Sequence, residues 1–380
     1  MITDINPFIY SRPVSPEDIM DRDEETVELL KNALGGHYVR LFAPRKYGKT
    51  SLLGRVLRDA QAEEQMTPVL VDLYRVTSIA DVTIRFERAY SVQLKGPVRA
   101  KIEQFLQRTG IGLSLGAYGI SAKLQLDPKT DPLPALHSLL DLPLHVEQSG
   151  GYRALIAFDE FQDIDKIPDL DGLIRSHIQY QGEVASYIFA GSEPGLMKQL
   201  FENKQRPLYG SAVPMRLQRL VNGDIAEYVV GRFDGTGRSV GEALNPLIDA
   251  AKGHPQRAML LAHRLWEEVP HGATATLDHW RRAYAAAQSE LSAEFDAQWR
   301  GYDVSEQRTM RAIVAGNGSP YKASVLERLG VTKDMVRKAL PRLTATADIE
   351  TVAGKPAVVD PLFEAWIARL NRGESDLDGQ

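Results

Sequence analysis

The stretch Ala43-Pro44-Arg45-Lys46-Tyr47-Gly48-Lys49-Thr50-Ser51 decides the reading of this chain. It joins an apolar run, His37 to Phe42, to a segment with Leu52, Leu53, Val56 and Leu57 at helical spacing. Strand, loop and helix follow in that order, and Gly48, Lys49 and Thr50 fall at the offsets of the phosphate-binding pattern GxxxxGK[ST]. Backbone N–H groups of such a loop cradle phosphates at a helix N-terminus. Lys49 is expected to reach the β/γ-phosphates, and the Thr50 hydroxyl to ligate Mg²⁺. Ala43 stands where the pattern has its first glycine, a tolerable change provided its φ stays negative.

A chain of 380 residues implies two or three domains. Its 43% hydrophobic and 25% charged residues are ordinary globular values, which exclude wholesale disorder. The formal net charge of −5 argues against a protein that coats nucleic acid globally. Zero cysteines remove disulfides, thiolate metal sites and thiol catalysis, and fit a reducing cytoplasm. No apolar run approaches the ~20 residues that span a bilayer. The first twenty residues lack the pattern of a signal peptide, so the expectation is a cytoplasmic protein with no membrane partner.

The N-terminal arm, Asn6 to Val14, is too rich in proline for a helix and too apolar for a free tail, so it should lie along the core. Beyond the phosphate loop, Pro68 to Leu73 reads as a second buried strand and Ile79 to Arg108 as helical with a break at Gly96-Pro97. Gly110 to Asp127 alternates in the manner of a β-hairpin. A helix follows from Ala135 to Gln148, broken or kinked at Pro143. Alternating strands and helices imply a parallel sheet covered on both faces.

The second functional stretch is Tyr152 to Gln162, an apolar strand that delivers Asp159 and Glu160 at its C-terminal end. Ligands of open α/β sheets sit at that edge. Asp159 is the expected acidic partner of Thr50 at the metal, and Glu160 the expected general base toward water. A further strand, Ser186 to Ser192, places Ser192 either as a sensor of the γ-phosphate or as a helix cap. Val213 to Leu217 is the expected last strand.

The segments Ala43 to Leu53, Phe158 to Gln162, Phe189 to Ser192 and Pro207 to Gly210 resemble the archaeal-type P-loop ATPases, prokaryotic ATPases near the AAA+ and STAND groups. The Asn-Pro-Phe start and Asp21 to Glu25 resemble that family's opening, and the likeness spans most of the chain. It implies ATP or ADP with Mg²⁺ as ligands, Glu160 as catalytic glutamate and Ser192 as polar sensor. Met20, Arg22, Pro255 and Arg257 join loop residues 43–51 as expected nucleotide contacts, with Arg257 facing the phosphates from a helical lid. Ser211 stands where many relatives carry an arginine, so a trans-acting arginine is missing there, and Arg206, Arg216 and Arg219 are the nearby substitutes. No guanine-reading Asn-Lys-x-Asp is present, since Gln205 and Arg206 follow Asn203-Lys204.

From Asn222 the period is helical, and the order after Val304 is three helices, a two-stranded wing and a closing helix, which is a winged helix-turn-helix. The expected division is a P-loop core with its arm over 1–221, a lid over 222–300, a winged helix over 301–370 and a tail over 371–380. Residues 304–370 hold ten basic and seven acidic residues, and Lys333, Arg337, Lys338 and Arg342 are candidate DNA contacts. The readings that follow are a nucleotide-controlled switch, a DNA-binding remodeller or loader that assembles on duplex, and a nucleotide-stabilised scaffold without turnover. A protein client through the winged helix and a homo-oligomer remain open partners.

Overall fold

A computed structural model describes residues 5–62, 66–93, 131–150 and 153–373. The break at Gly96-Pro97, the 110–127 hairpin and the end of the tail fall outside them. Numbering the described elements in chain order, α1 (Asp23–Leu34) leads through β1 (Val39–Phe42) and the phosphate loop into α2 (Lys49–Ala62), then β2 (Met66–Asp72) and α3 (Ile79–Gln93). Next come α4 (Leu133–Leu140), α5 (Leu142–Gly150), β3 (Arg153–Asp159), α6 (Leu170–Ile178), β4 (Ala185–Gly191), α7 (Pro194–Glu202) and β5 (Val213–Arg216). The helix expected over 135–148 is thus two, divided at Asp141, and Pro143 takes a first-turn position where its missing N–H costs nothing.

All five strands pair in parallel in the order β2-β3-β4-β1-β5. Pro68 and Pro214 lie in β2 and β5, the two edge strands, where a lost donor does least harm. Side chains of β3 alternate between two cores. Ala154, Ile156 and Phe158 face a cluster shared with α3 to α7, while Leu155 and Ala157 face one shared with α1 and α2. Because both faces are buried, β3 reads as an unbroken apolar run. This sheet brings the carboxyl ends of β1, β3 and β4 together as neighbours, which positions the site.

The C-terminal half is helical: α8 (Asn222–Asp234), α9 (Leu244–Ala251), α10 (Pro255–Glu268), α11 (Leu277–Gly301), α12 (Val304–Ala315), α13 (Ala323–Leu329) and α14 (Lys333–Ala345). The antiparallel pair β6 (Ile349–Val352) and β7 (Lys355–Val358) and then α15 (Pro361–Arg372) complete it. The Thr332 hydroxyl accepts the Met335 N–H and caps α14 as its sequence suggests. One apolar cluster runs from Ile225 and Leu247 through Phe295 to Phe363 and Trp366, so lid helices and winged segment share a core. The arm packs its apolar residues on the lid rather than on a sheet face and still touches the P-loop core: Phe8 is buried in this cluster, 5.5 Å from the Phe233 ring, the Asn6 side chain donates to the His263 carbonyl, and the Val14 N–H donates to the Ser51 hydroxyl of α2 at 3.2 Å. The physical reason is area, since the lid offers an apolar groove while both sheet faces are already covered. Among the described residues no helix is long and apolar enough to cross a membrane.

Candidate functional site

β1 ends where Ala43 N–H still donates to the Gly191 carbonyl, so Ala43 completes the sheet and its methyl sits in the core. Ala43 is not among the described residues with positive φ, and the missing glycine therefore costs no strain. The turn is made instead at Lys46 (φ 66°) and Gly48 (φ 84°), and α2 starts at Lys49. That geometry puts the Lys49 ammonium and the Thr50 hydroxyl at the carboxyl edge of the sheet. The Thr50 hydroxyl donates to Asp159 Oδ2 at 2.6 Å across 109 residues of sequence, and Lys49 Nζ lies 3.9 Å from Glu160 Oε1.

Burial pushes the Lys49 amine down from its usual value, against the pull of Glu160 and Asp159. Burial likewise pushes the Asp159 carboxyl up, with Lys49 and the Thr50 hydrogen bond opposing it. Glu160 occupies the left-handed region at φ 52°, a strained position for a side chain with a Cβ. Its backbone N–H donates to Asp159 Oδ1 at 3.0 Å. The second carboxylate oxygen, Oε2, accepts the Ser192 hydroxyl at 2.5 Å and the Gln162 amide at 2.6 Å. The Gln162 side-chain carbonyl in turn accepts the Ser192 backbone N–H at 3.1 Å, so Glu160, Gln162 and Ser192 close a ring of hydrogen bonds. Ser192 at the end of β4 thus touches Glu160 directly.

Beside these residues lies a cavity of about 310 Å³. Arg45, Lys46, Tyr47, Gly48, Lys49, Thr50, Ser51 and Glu160 line it together with Met20, Arg22 and Pro255. Asp159 and Ser192 are behind the lining, held to Thr50 and Glu160. Ala43 and Pro44 are outside it. So is Arg257, which sequence had facing the phosphates. It is fully buried in an ion pair with Asp360, its Nε 3.0 and 2.9 Å from the two carboxylate oxygens and its Nη2 donating to one of them. The reason is charge pairing: a guanidinium at that depth needs a carboxylate, and Asp360 at the start of α15 supplies it. Arg206 is spent on Asp165 and Asp171, and Arg216 and Arg219 on Glu350.

Sequence reasoning missed Gln162 as a site residue, although it sits two positions after Glu160 in the quoted stretch and its clamp needs only a short turn to form. It also missed the arm residues Ile9, Tyr10 and Ile19 and the lid residues Gln256 and Met259 on the cavity wall. Their signal was the apolar, proline-punctuated arm, which gave no partner. Gln162→Ala removes one of two donors to Glu160, and a hydrogen bond to a charged group is worth about 1.5–3 kcal/mol. For the ATP hydrolysis that the phosphate-loop pattern implies, the expected result is a kcat lower by roughly 10- to 100-fold with KM for ATP unchanged.

His254 caps α10, its Nδ1 accepting the Arg257 N–H at 3.3 Å, and burial lowers its pKa to about 3. The folded-state value lies below the ordinary 6.5, so this contribution is fully present above pH 6.5 and is lost as pH falls toward 3. Between pH 7 and 4.5 the fold should lose about 2.5 kcal/mol from this group alone. His254→Asn keeps a capping acceptor without a titrating ring, and denaturant unfolding at the two pH values should show a loss smaller by that amount.

Solved structures place this architecture. A Walker-type ATPase of Pyrococcus abyssi superposes with a TM-score of 0.69 at 18% identity, over 95% of this chain and 99% of that one. The fold is that of a P-loop ATPase. The ORC2 protein of Aeropyrum pernix, in its ADPNP–ADP complexes, follows with a TM-score of 0.59 at 15% identity, over 98% of each chain. Its ADP form gives 0.50 at 14% identity over 92% of each. No sequence-family model and no curated protein sequence matches the chain. The likeness is therefore one of shape, and the P-loop ATPase fold accounts for why residues 109 positions apart meet at the sheet edge.

Proposed function

We propose that the protein binds ATP with Mg²⁺, hydrolyses it slowly, and uses the nucleotide to set the arrangement of its lid and winged segment. The observation that carries this is the Thr50–Asp159 contact at 2.6 Å, with Glu160 next to it and Lys49 3.9 Å from Glu160 beside one cavity. Thr50 and Asp159 offer only oxygen donors, which suits a hard cation such as Mg²⁺. Bound there, that ion supplies charge to neutralise the phosphate oxygens.

The chain's own residues do the rest. Lys49 and the loop N–H groups of residues 45–51 bind and orient the β- and γ-phosphates. Glu160 orients a water and takes its proton as the water oxygen bonds to the γ-phosphorus. The bond from that phosphorus to the β–γ bridging oxygen breaks, and ADP leaves with the electron pair. Ser192 and Gln162 hold the Glu160 carboxylate in place, so Ser192 acts here through Glu160. Met20, Arg22 and Pro255 close the cavity from the arm and lid, which gives the nucleotide contacts on parts that can move relative to the sheet. With Arg206, Arg216 and Arg219 all paired within the chain, a switch fits better than a ring motor that needs an arginine from a neighbour. Equilibrium binding tests this: ATP and ADP should bind in the presence of Mg²⁺ with GTP weaker, and absence of nucleotide binding would refute it.

A second reading, contact with duplex DNA, is favoured by one observation. Lys333, Arg337, Lys338 and Arg342 are all exposed along α14. Arg337 and Lys338 pair with Asp334 of the same helix, at 2.5 and 2.9 Å, and Arg342 with Asp303 at 2.9 Å and Glu306 at 3.6 Å. Exposed pairs are worth about 0–1 kcal/mol, so phosphates can displace them. Duplex binding at low salt that weakens with salt and is lost in Lys338→Glu would support it, and no binding at low salt would remove it.

A further inference from the structure

Two residues of the phosphate loop that line the cavity also reach the C-terminal half with their side chains. Lys46 reaches Glu294 of α11 at 2.8 Å. Tyr47 is fully buried, its ring edge-on to His254 at 5.0 Å, and its hydroxyl donates to Glu350 of β6 at 2.5 Å. The same carboxylate accepts Arg219 Nε at 2.7 Å and lies 3.3 Å from Arg216, both just beyond or at the end of β5. Arg219 also donates to the carbonyls of Val358, Val359 and Lys252, at 3.1, 2.9 and 2.8 Å. Core, lid and wing therefore meet at one buried polar point, and the phosphate loop is part of it.

The contrast with the lid–wing contact gives this point its meaning. Lid and wing share an apolar core built around Phe295, Phe363 and Trp366, which holds them together as one body. That body also touches the sheet core through apolar contact, Val359 lying in the cluster of α1 and α2 and Ala345 against Gly195 of α7, and Glu350 adds a joint of charge and hydrogen bonds whose net stabilisation is small because desolvation offsets attraction. Such a joint is directional, and it is either made or released. Tyr47 sits between two left-handed residues, Lys46 and Gly48, so its side-chain position follows from the backbone of the loop. A phosphate held on the loop N–H groups fixes that same backbone.

We propose that the Tyr47–Glu350 contact transmits the occupancy of the phosphate loop to the lid–wing body, an occupied loop favouring the docked wing. The inference rests on the nucleotide-switch reading above and names its linkage. A ligand shifts a conformational equilibrium only through differential affinity for the two states, and this contact is where the difference arises. Because coupling is reciprocal, a docked wing in turn favours the loop conformation that holds phosphate.

The chain has no cysteine, so Lys31→Cys on α1 and Lys355→Cys on β7 give two clean labelling sites for energy transfer between core and wing. Saturating ADP or a non-hydrolysable ATP analogue should shift transfer toward the docked distance relative to nucleotide-free protein. Tyr47→Phe, which removes a single oxygen, and Glu350→Ala, which leaves the loop untouched, should each lose most of that shift when nucleotide is saturating. A full shift retained in both variants overturns the linkage and leaves the switch standing. A chain without these two substitutions that binds nucleotide but shows no shift overturns the switch as well.

Discussion

Glu160→Gln is expected to bind MgATP as tightly as the parent chain and to hydrolyse it about 10²- to 10⁴-fold more slowly, the range a positioned general base supplies. The amide keeps the shape of the side chain and can still meet the Ser192 hydroxyl, which lies 2.5 Å from Oε2 in the parent. It cannot take a proton from water. The Gln162 amide, 2.6 Å from that oxygen, constrains which way the new amide faces and so keeps its orientation. Comparing a binding isotherm with single-turnover hydrolysis separates the two effects. Equal loss of binding and turnover would mean that Glu160 holds the nucleotide rather than acting on water.

The second large effect belongs to Lys49. It is buried beside the cavity, with the Glu160 carboxylate 3.9 Å away and Asp159 close enough to stabilise its charged form. Lys49→Ala removes the only lysine at the phosphate-contacting position of the loop pattern and leaves Glu160 without its nearest cation. Truncating one partner of a charge pair buried at a binding interface, here the Lys49 ammonium against the proposed nucleotide's phosphates, costs about 2–5 kcal/mol, which is roughly 30- to several-thousand-fold in nucleotide affinity. Titration of ATP into both chains measures it. The two variants thus diverge: one loses turnover with binding kept, the other loses binding first.

Much of this was legible before any coordinates. The Gly48-Lys49-Thr50 offsets and the Asp159-Glu160 pair after an apolar run placed the metal and base candidates, because local sequence dictates a strand end and a helix start. Ser192 was visible as a polar residue at a strand end, though whether it capped a helix or met the site was not. Its contact with Glu160 depends on β3 and β4 being neighbours, which the sheet order decides and no local pattern records. Arg257 shows the opposite failure. A Gly-His-Pro-Gln-Arg break says that a basic residue opens a helix, but its partner Asp360 lies 103 residues away and becomes available only after the winged segment docks. Tyr47 is the same problem in a sharper form. It sits inside the most readable motif of the chain, yet its hydroxyl partner, Glu350, is 303 residues away.

The arm was read as packing on the core because of its composition. Composition could not choose between sheet and lid, and the sheet's two covered faces settle it in favour of the lid.

Hydrolysis of ATP with Mg²⁺ is the work proposed here for the residues gathered beside this cavity. Phosphate release by the purified 380-residue chain, measured with ATP and Mg²⁺, with ATP and excess chelator, and in Glu160→Gln, tests this reading. Release is expected to need Mg²⁺ and to fall by at least about 10²-fold in the variant. Release that is equal in the parent and the Glu160→Gln chain, or no release from a parent chain that binds MgATP, would contradict it.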